Sequence, residues 1–395
     1  MLLITLILGV NRLLDVLIVG AGPAGLSLAK LLSSQGYTIG ILERQPFHAL
    51  ANPVDDGREI ALTQHSFALL NQMGVTHYFK PDDYSALHAA KVLNGKSQNP
   101  LYFAPSSEQN NLGTMVSNHA IRRGLFQVVK DLADVNIITE SSLLDVQQHS
   151  NHLTITTTAG ADIKVRLLVA ADSRFSNTRR QMGIGATMTD FGRSMLVCRM
   201  AHTIPHHHIA YEIFDYEQTL ALLPLANNCS SVVLTLPTPE IEKLLHSDIQ
   251  DFTADIHNRL NGRLGDISLV NNRFAYPLVA TYAKQFVGNR FALIGDAAVG
   301  MHPVTAHGFN LGLLGAETLT KQVSITKDIG SLIGLVQYER IHRRATWPLF
   351  LTTNAIAKLY ADDRTAARFI RNAGLRLANS VTPLKKKLVR QLMHA

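Results

Sequence analysis

Cysteine is nearly missing: 395 residues carry two, Cys198 and Cys229. Two thiols cannot build a four-ligand metal centre, and these fit no CxxC spacing, so the chain reads as a protein of a reducing compartment, the cytoplasm. Long apolar runs are missing too. The opening "MLLITLILGV" stays apolar for ten residues before Asn11 and Arg12. A spanning helix needs about twenty, and a secretory leader needs a basic start and a small-residue cleavage site. For that opening three readings stay open: an interfacial anchor, an extra strand, or a start placed upstream of the native one. Acidic residues are in deficit, 30 against 37 Lys and Arg, for a net charge of +7. This favours anionic partners such as cofactor phosphates, anionic lipid headgroups or nucleic acid. No basic stripe interleaved with aromatics accompanies the excess, which sets nucleic acid aside. The run His206-His207-His208 has no flanking acidic or cysteine partners, and consecutive strand residues cannot all face one ion, so no metal site is expected. Low-complexity tracts and internal repeats are absent. At 46% hydrophobic and 17% charged residues, the chain is globular and long enough for about two or three domains.

What the chain does have is glycine in two telling places. "DVLIV" reads as a buried β-branched strand, followed at once by Gly20-Ala21-Gly22-Pro23-Ala24-Gly25. "LSLAKLLSSQG" then has helical spacing, with Leu26, Ala29 and Leu32 on one side and Gly36 as the stop. "YTIGILE" is a second strand ending in Glu43, about twenty residues past the glycines. Gly20 permits the tight turn, Gly22 lets backbone N–H groups approach a pyrophosphate, and Gly25 lets helix and strand pack closely. The helix N-terminus adds partial positive charge for the diphosphate. An acid at the end of the second strand accepts hydrogen bonds from a ribose. NAD and FAD both satisfy this pattern, and Arg44, beside Glu43, does not separate them.

The second glycine-rich loop, "GDAAVGMHPVTAHGFNLGL", runs from Gly295 to Leu313. It follows the strand-like "RFALI" and places Asp296 at a carboxyl edge, where parallel sheets bind ligands. Helical spacing begins at about Phe309, so Gly308 and Asn310 sit at a helix start. A helix N-terminus aimed at an isoalloxazine ring stabilises negative charge on its pyrimidine side, and Asp296 is placed for a ribityl hydroxyl. The two loops are expected to hold two ends of one extended molecule, ADP at the first and flavin at the second.

Three motifs in one order carry a resemblance: "GAGPAG" with Glu43, "LLVAADSRFSNTRR" from Leu167 to Arg180, and "GDAAVGMHPVTAHGFNLG". Weaker matches are "DDGREIALTQHSFALL" and "AYEIFDYEQTLALLPL". Over nearly its whole length the chain resembles the single-component flavoprotein monooxygenases of the para-hydroxybenzoate hydroxylase superfamily, and within them the ubiquinone-biosynthesis hydroxylases. The resemblance implies FAD as cofactor and NAD(P)H as a transient electron donor. Besides Gly20, Gly22, Gly25 and Arg44, it puts Ala24 and Glu43 at the ADP part and Arg58 near the pyrophosphate. Asn118 or Arg122 flanks the flavin chain, and Asp172 and Asp296 flank the cofactor's middle. Pro303 and Gly308 line the second loop, with the backbone of Phe309 and Asn310 facing the flavin carbonyl. Three positions depart from the family pattern: Ser173 for a usual glycine, Val299 for a common histidine, and Gly315 for a frequent acid.

The expected fold is α/β: a Rossmann-like FAD-binding domain from 14–75, 110–185 and 285–330, with an inserted antiparallel substrate sheet from 76–109 and 186–284. A C-terminal helical region covers 331–395. "HLTITTTAGADIKVRLLVAAD" reads as a hairpin feeding the Asp172 strand. With one dinucleotide fingerprint taken by FAD, the nicotinamide donor has no Rossmann site of its own. The resemblance implies hydroxylation of a polyprenylated phenol, or another aromatic, by molecular oxygen through a flavin C4a-hydroperoxide; a non-oxygenating FAD reductase or a scaffold on the same fold stays open as the alternative. No side chain is singled out as acid or base; His302 and His307 are candidates beside the flavin. "VTPLKKKLVRQLMHA" sets Leu384, Leu388 and Leu392 at i+4 spacing among Lys385, Lys386, Lys387 and Arg390. Such a helix suits peripheral attachment to an anionic inner-membrane surface or a biosynthetic complex.

Overall fold

The computed structural model describes residues 13–95, 100–105, 111–215, 218–302 and 308–361. Five strands form its parallel core: β1 (Leu14–Val19), β2 (Ile39–Leu42), β3 (Val135–Ile138), β4 (Asp162–Ala170) and β5 (Phe291–Leu293). Their order across the sheet is β3-β2-β1-β4-β5, and every neighbouring pair is parallel. This is the order of a dinucleotide-binding fold, whose ligand crevice opens at the carboxyl ends of the strands. β1 reads "LDVLIV", with five of its six residues buried, as a strand covered on both faces must. The Leu153–Thr157 strand lies antiparallel on β4, the hairpin read from the sequence. A further strand, Leu143–Gln148, extends it.

Helix α1 (Pro23–Ser33) starts on a proline that needs no amide partner. It buries Leu26, Ala29 and Leu32 against β1 and β2. Gly36 follows at φ +82°, a left-handed turn that returns the chain to β2. Helix α2 (Asn118–Val129) begins where the Ser117 hydroxyl accepts from the Ala120 amide at 3.1 Å. Helix α3 (Gly308–Ser324) packs on α1, and α4 (Leu332–Ala361) packs on α3. Tyr338 of α4 donates to the Leu293 carbonyl at 2.7 Å from a fully buried position.

A nine-stranded sheet stands beside this core. Its long Ala186–His202 strand pairs antiparallel with Cys229–Pro237 on one side and Phe274–Ala283 on the other, with a bulge between Asp190 and Ser194. The pairing is antiparallel throughout except where Ile209–Asp215 runs parallel to Ala89–Asn94. Helices Thr238–His246 and Ile249–Leu260 cover the outer face through Ile241, Phe252, Ile256 and Leu260. The inner face looks toward the parallel core. Between the two lies a three-stranded sheet, Glu59–Leu62, Gly113–Ser117 and Tyr84–Leu87. Among the described residues no helix is long and apolar enough to cross a membrane. The amphipathic segment at Leu384–Leu392 and the apolar opening lie outside the described residues.

Candidate cofactor site

At the carboxyl end of β1 the chain turns through Gly20 at φ +109°, where a Cβ would lie 2.7 Å from the Ala171 carbonyl oxygen. Gly25 faces the same turn from α1, and a Cβ there would meet the Gly20 oxygen at 2.0 Å. Both glycines are therefore demanded by backbone packing. Gly22 differs: a Cβ there would meet nothing within 4 Å. Its freedom faces open space at the start of α1, where unpaired amides point. Glu43 sits beyond β2 and accepts from the Ala21 amide at 2.8 Å and the Gln45 amide at 2.9 Å. Its carboxylate is thereby fixed beside the glycine turn, while Arg44 points outward and is exposed.

The second loop touches the first directly. Gly295, at φ +55°, lies so close to Ala24 that a Cβ on it would sit 2.8 Å from the alanine's. Gly312 of α3 lies behind, within 3.5 Å of the Gly295 Cα by the same measure. Ala24 thus packs α1 against the second loop as well as bordering the nucleotide end. Asn310 is buried, donating to the Ala61 carbonyl at 2.9 Å and accepting from the Thr63 amide at 3.1 Å. Its side chain pins α3 to the small sheet, leaving the backbone at Gly308, Phe309 and Asn310 as what α3 can offer a ligand. Among the described residues a Cβ on Gly308 would meet nothing within 4 Å. Pro303 and His307 lie outside the described residues.

The mid-chain motif holds the second loop in place. Arg179 is almost fully buried and donates to the carbonyls of Ala297 at 3.0 Å and Arg174 at 3.2 Å. Arg174 in turn pairs with Asp296 at 3.0 Å and donates to the Val279 carbonyl. Asp172 accepts from the Thr178 amide at 3.3 Å through one oxygen, while its other oxygen is buried without a partner. A buried acceptor without a donor is costly, and a sugar or ribityl hydroxyl would satisfy it. Ser173 keeps an ordinary negative φ, and its hydroxyl accepts from the Phe175 amide at 3.2 Å, so serine fits where the family has glycine. Val299 is buried and pairs with Tyr282. Gly315 faces His342, whose Nε2 would lie 3.0 Å from a Cβ there, so an acid cannot sit at this position without moving that histidine.

The remaining sequence-derived residues converge on a carboxylate that sequence reading did not single out. Asp56 accepts from Arg58 at 2.6 Å and from the Asn118 amide nitrogen at 2.7 Å, with Arg122 at 4.0 Å. Burial works to raise the Asp56 carboxyl, but hydrogen bonding and charge from Arg58, with the Asn118 bond, hold it below the usual range. Tyr276, from the inner face of the large sheet, donates to the Asp56 carbonyl at 2.7 Å and lies under the Arg58 guanidinium. The signal for Asp56 was its place two residues before Arg58; Tyr276 had none. Nearby, Glu59 is buried, bonded to Arg199 at 2.8 Å, and burial pushes it up to about 7. His302 is buried edge-on to Phe191, and burial, with the Arg174 charge, pushes it down to about 4.

Open backbone at Gly22 and Gly308, the orphaned Asp172 oxygen and the fixed Glu43 carboxylate fit an extended dinucleotide carrying two sugars and a diphosphate. The FAD binding domain family matches residues 13–348. The chain is 43% identical to the ubiquinone hydroxylase UbiM of Neisseria meningitidis, over 96% of this chain and 84% of that one. It is 28% identical to the ubiquinone hydroxylase UbiL of Rhodospirillum rubrum, over 97% and 90%. In fold it is similar to PqsL of Pseudomonas aeruginosa, with a TM-score of 0.78 at 19% identity, covering 92% of this chain and 100% of that one. The p-nitrophenol 4-monooxygenase PnpA of Pseudomonas putida gives 0.76 at 17%, over 96% and 98%. The three motif segments, drawn together around one crevice, and the 43% relative agree: the chain belongs to the FAD binding domain family of flavin-dependent monooxygenases, in its ubiquinone hydroxylase branch.

Proposed function

We propose that this protein hydroxylates the aromatic ring of a polyprenylated ubiquinone precursor, with molecular oxygen as the oxygen source and NAD(P)H as electron donor. The observation that carries the reading is the identity with UbiM along almost the full chain, which includes all three cofactor segments. Bound FAD supplies the electron transfer and oxygen activation. The chain's own residues supply placement. Gly20, Gly22, Ala24, Gly25, Glu43 and Arg44 border the ADP end, and Arg58, Asn118 and Arg122 surround the middle with Asp172 and Asp296. The α3 N-terminus at Gly308, Phe309 and Asn310, with Pro303, takes the flavin end. The inner face of the large sheet roofs the crevice, excluding water from the reacting ring. One dinucleotide fingerprint leaves the nicotinamide donor to bind transiently.

A polyprenylated substrate resides in lipid, so the protein is read as cytoplasmic with reversible attachment at the inner membrane through the basic segment at 383–395. Supplying purified protein with NADH and a prenylated phenol should consume oxygen and yield a product heavier by one oxygen atom by mass spectrometry. NADH oxidation without that product would replace the reading with a reductase. Co-sedimentation with anionic vesicles at low salt, reversed at high salt and weakened by truncation after Thr382, would support the membrane reading; equal behaviour of both forms would remove it.

A further inference from the structure

On the Ile209–Asp215 strand, Tyr211 and Ile213 pack on the outer core with Phe252, so alternation turns Ala210, Glu212 and Phe214 inward. The register then sets Glu212 in one lateral row across the inner face. Reading across the sheet, the row is Phe274, Val197, Val233, Ala221, Glu212, Val92 and Leu101. Six of the seven are apolar. Phe274 ends the row against the cofactor segment, where a Cβ on Gly57 would strike its ring at 2.4 Å. Glu212 lies four strands further on, about 19 Å at the usual strand spacing. That is too far to serve the Asp56–Arg58 cluster, yet on the same wall of the crevice.

A carboxyl on an apolar wall is costly unless a partner answers it. Glu212 makes no hydrogen bond or ion pair among the described residues, and the only influence on its acidity is burial, which pushes it up to about 8. It nevertheless keeps partial exposure, so something entering the crevice can reach it. Among the other ionisable groups of this face, Arg199 from the sheet pairs with Asp55 and Glu59 from the segment packed on it, Tyr276 donates to the Asp56 carbonyl, and Cys229 lies within the influence of Arg199 and Glu59. Lys91 and Arg263 stack on Tyr211, on the opposite face.

We propose that Glu212 binds a ring oxygen of the aromatic substrate and selects neutral phenols over ring carboxylates. This rests on the reading of the protein as an aromatic hydroxylase. An undissociated carboxyl both donates and accepts, so it serves a hydroxyl or a methoxyl oxygen. A substrate carboxylate would meet a second acid with no cation beside it, and one of the two would have to stay protonated.

The test uses FAD-loaded, full-length protein with a 2-prenylphenol and its ring-carboxylated counterpart. Dissociation constants come from the change in flavin absorbance on binding, KM and kcat from product formation. Glu212→Leu should keep wild-type flavin content while weakening phenol binding about tenfold, the loss of one buried hydrogen bond. Glu212→Gln, which still donates and accepts, should stay within about threefold of wild type for the phenol, and its KM should lose any dependence on pH between 7 and 9. Glu212→Lys should reverse the preference toward the carboxylate. Wild-type phenol affinity and discrimination in the leucine variant would overturn the assignment. If no phenol is hydroxylated by wild type, the functional reading fails, and the binding constants still decide the role of Glu212.

Discussion

Gly22 and Gly25 stand three residues apart and are glycine for different reasons, which separate by experiment. Among the described residues a Cβ at Gly22 meets nothing within 4 Å, whereas one at Gly25 meets the Gly20 carbonyl oxygen at 2.0 Å. Gly22→Val should therefore abolish yellow colour and flavin content while leaving the urea midpoint of the flavin-free protein near wild type. Gly25→Ala should lose flavin and also destabilise the flavin-free fold by about 1–3 kcal/mol, as overpacking does. A shared loss of stability in both variants would refute the assignment of Gly22 to a ligand. At this scale the residues legible in sequence were those whose spacing follows from backbone geometry, such as Gly20, Gly25 and Glu43. Asp56 was not legible, because a carboxylate beside an arginine becomes a hub only when Asn118 and Arg122 arrive from α2. Tyr276 reaches it from 220 residues away, a separation no local pattern encodes.

Whole elements were easiest to read where burial was two-sided. β2, β5 and the carboxyl-terminal halves of β1 and β4 announce themselves as unbroken apolar runs, and α1 by its spaced leucines. The three-stranded sheet was not legible: its members are four or five residues long, half-buried, and joined by long excursions. The one parallel pairing in the large sheet was equally hidden, since alternation fixes a strand's faces but not its neighbour's direction. Helix α3 offers a test of packing between elements. Alanine is the better helix former by about 1 kcal/mol, yet at Gly315 its methyl would press on His342, which is buried and stacked on Tyr338. Gly315→Ala should lower stability by about 1–3 kcal/mol and, in a His342→Ala background, raise it. Chemical denaturation of the four proteins gives the coupling. Additive effects would mean that α4 yields easily to α3.

For the molecule as a whole, buried ionisable groups set the pH range of stability from both sides. Burial holds His342 down at about 4, so unfolding takes up a proton between pH 4 and 6.5 and stability falls as the solution is acidified through that window. Burial pushes Glu212 up to about 8, so the folded chain holds a proton that the unfolded chain has released. Its contribution is complete below about pH 4.5 and is lost as pH rises through about 8. Stability should peak between these limits. His342→Phe should flatten the acid limb and Glu212→Gln the alkaline one, measured as urea midpoints from pH 4 to 9. A Glu212→Gln curve identical to wild type would mean the carboxyl titrates normally.

Asn310 binds the backbone of Thr63 from 247 positions away, and Ala24 meets Gly295 across a similar interval. This contact has a meaning in time. A nascent chain displays its complete dinucleotide fingerprint soon after emerging from the ribosome, but the crevice has only one wall until Gly295 and α3 are made. On the proposed placement the cofactor enters late, onto a nearly finished fold. With FAD seated as proposed, flavin colour reports on the completeness of synthesis, and each bound flavin ties β1 to a segment made more than half a protein later.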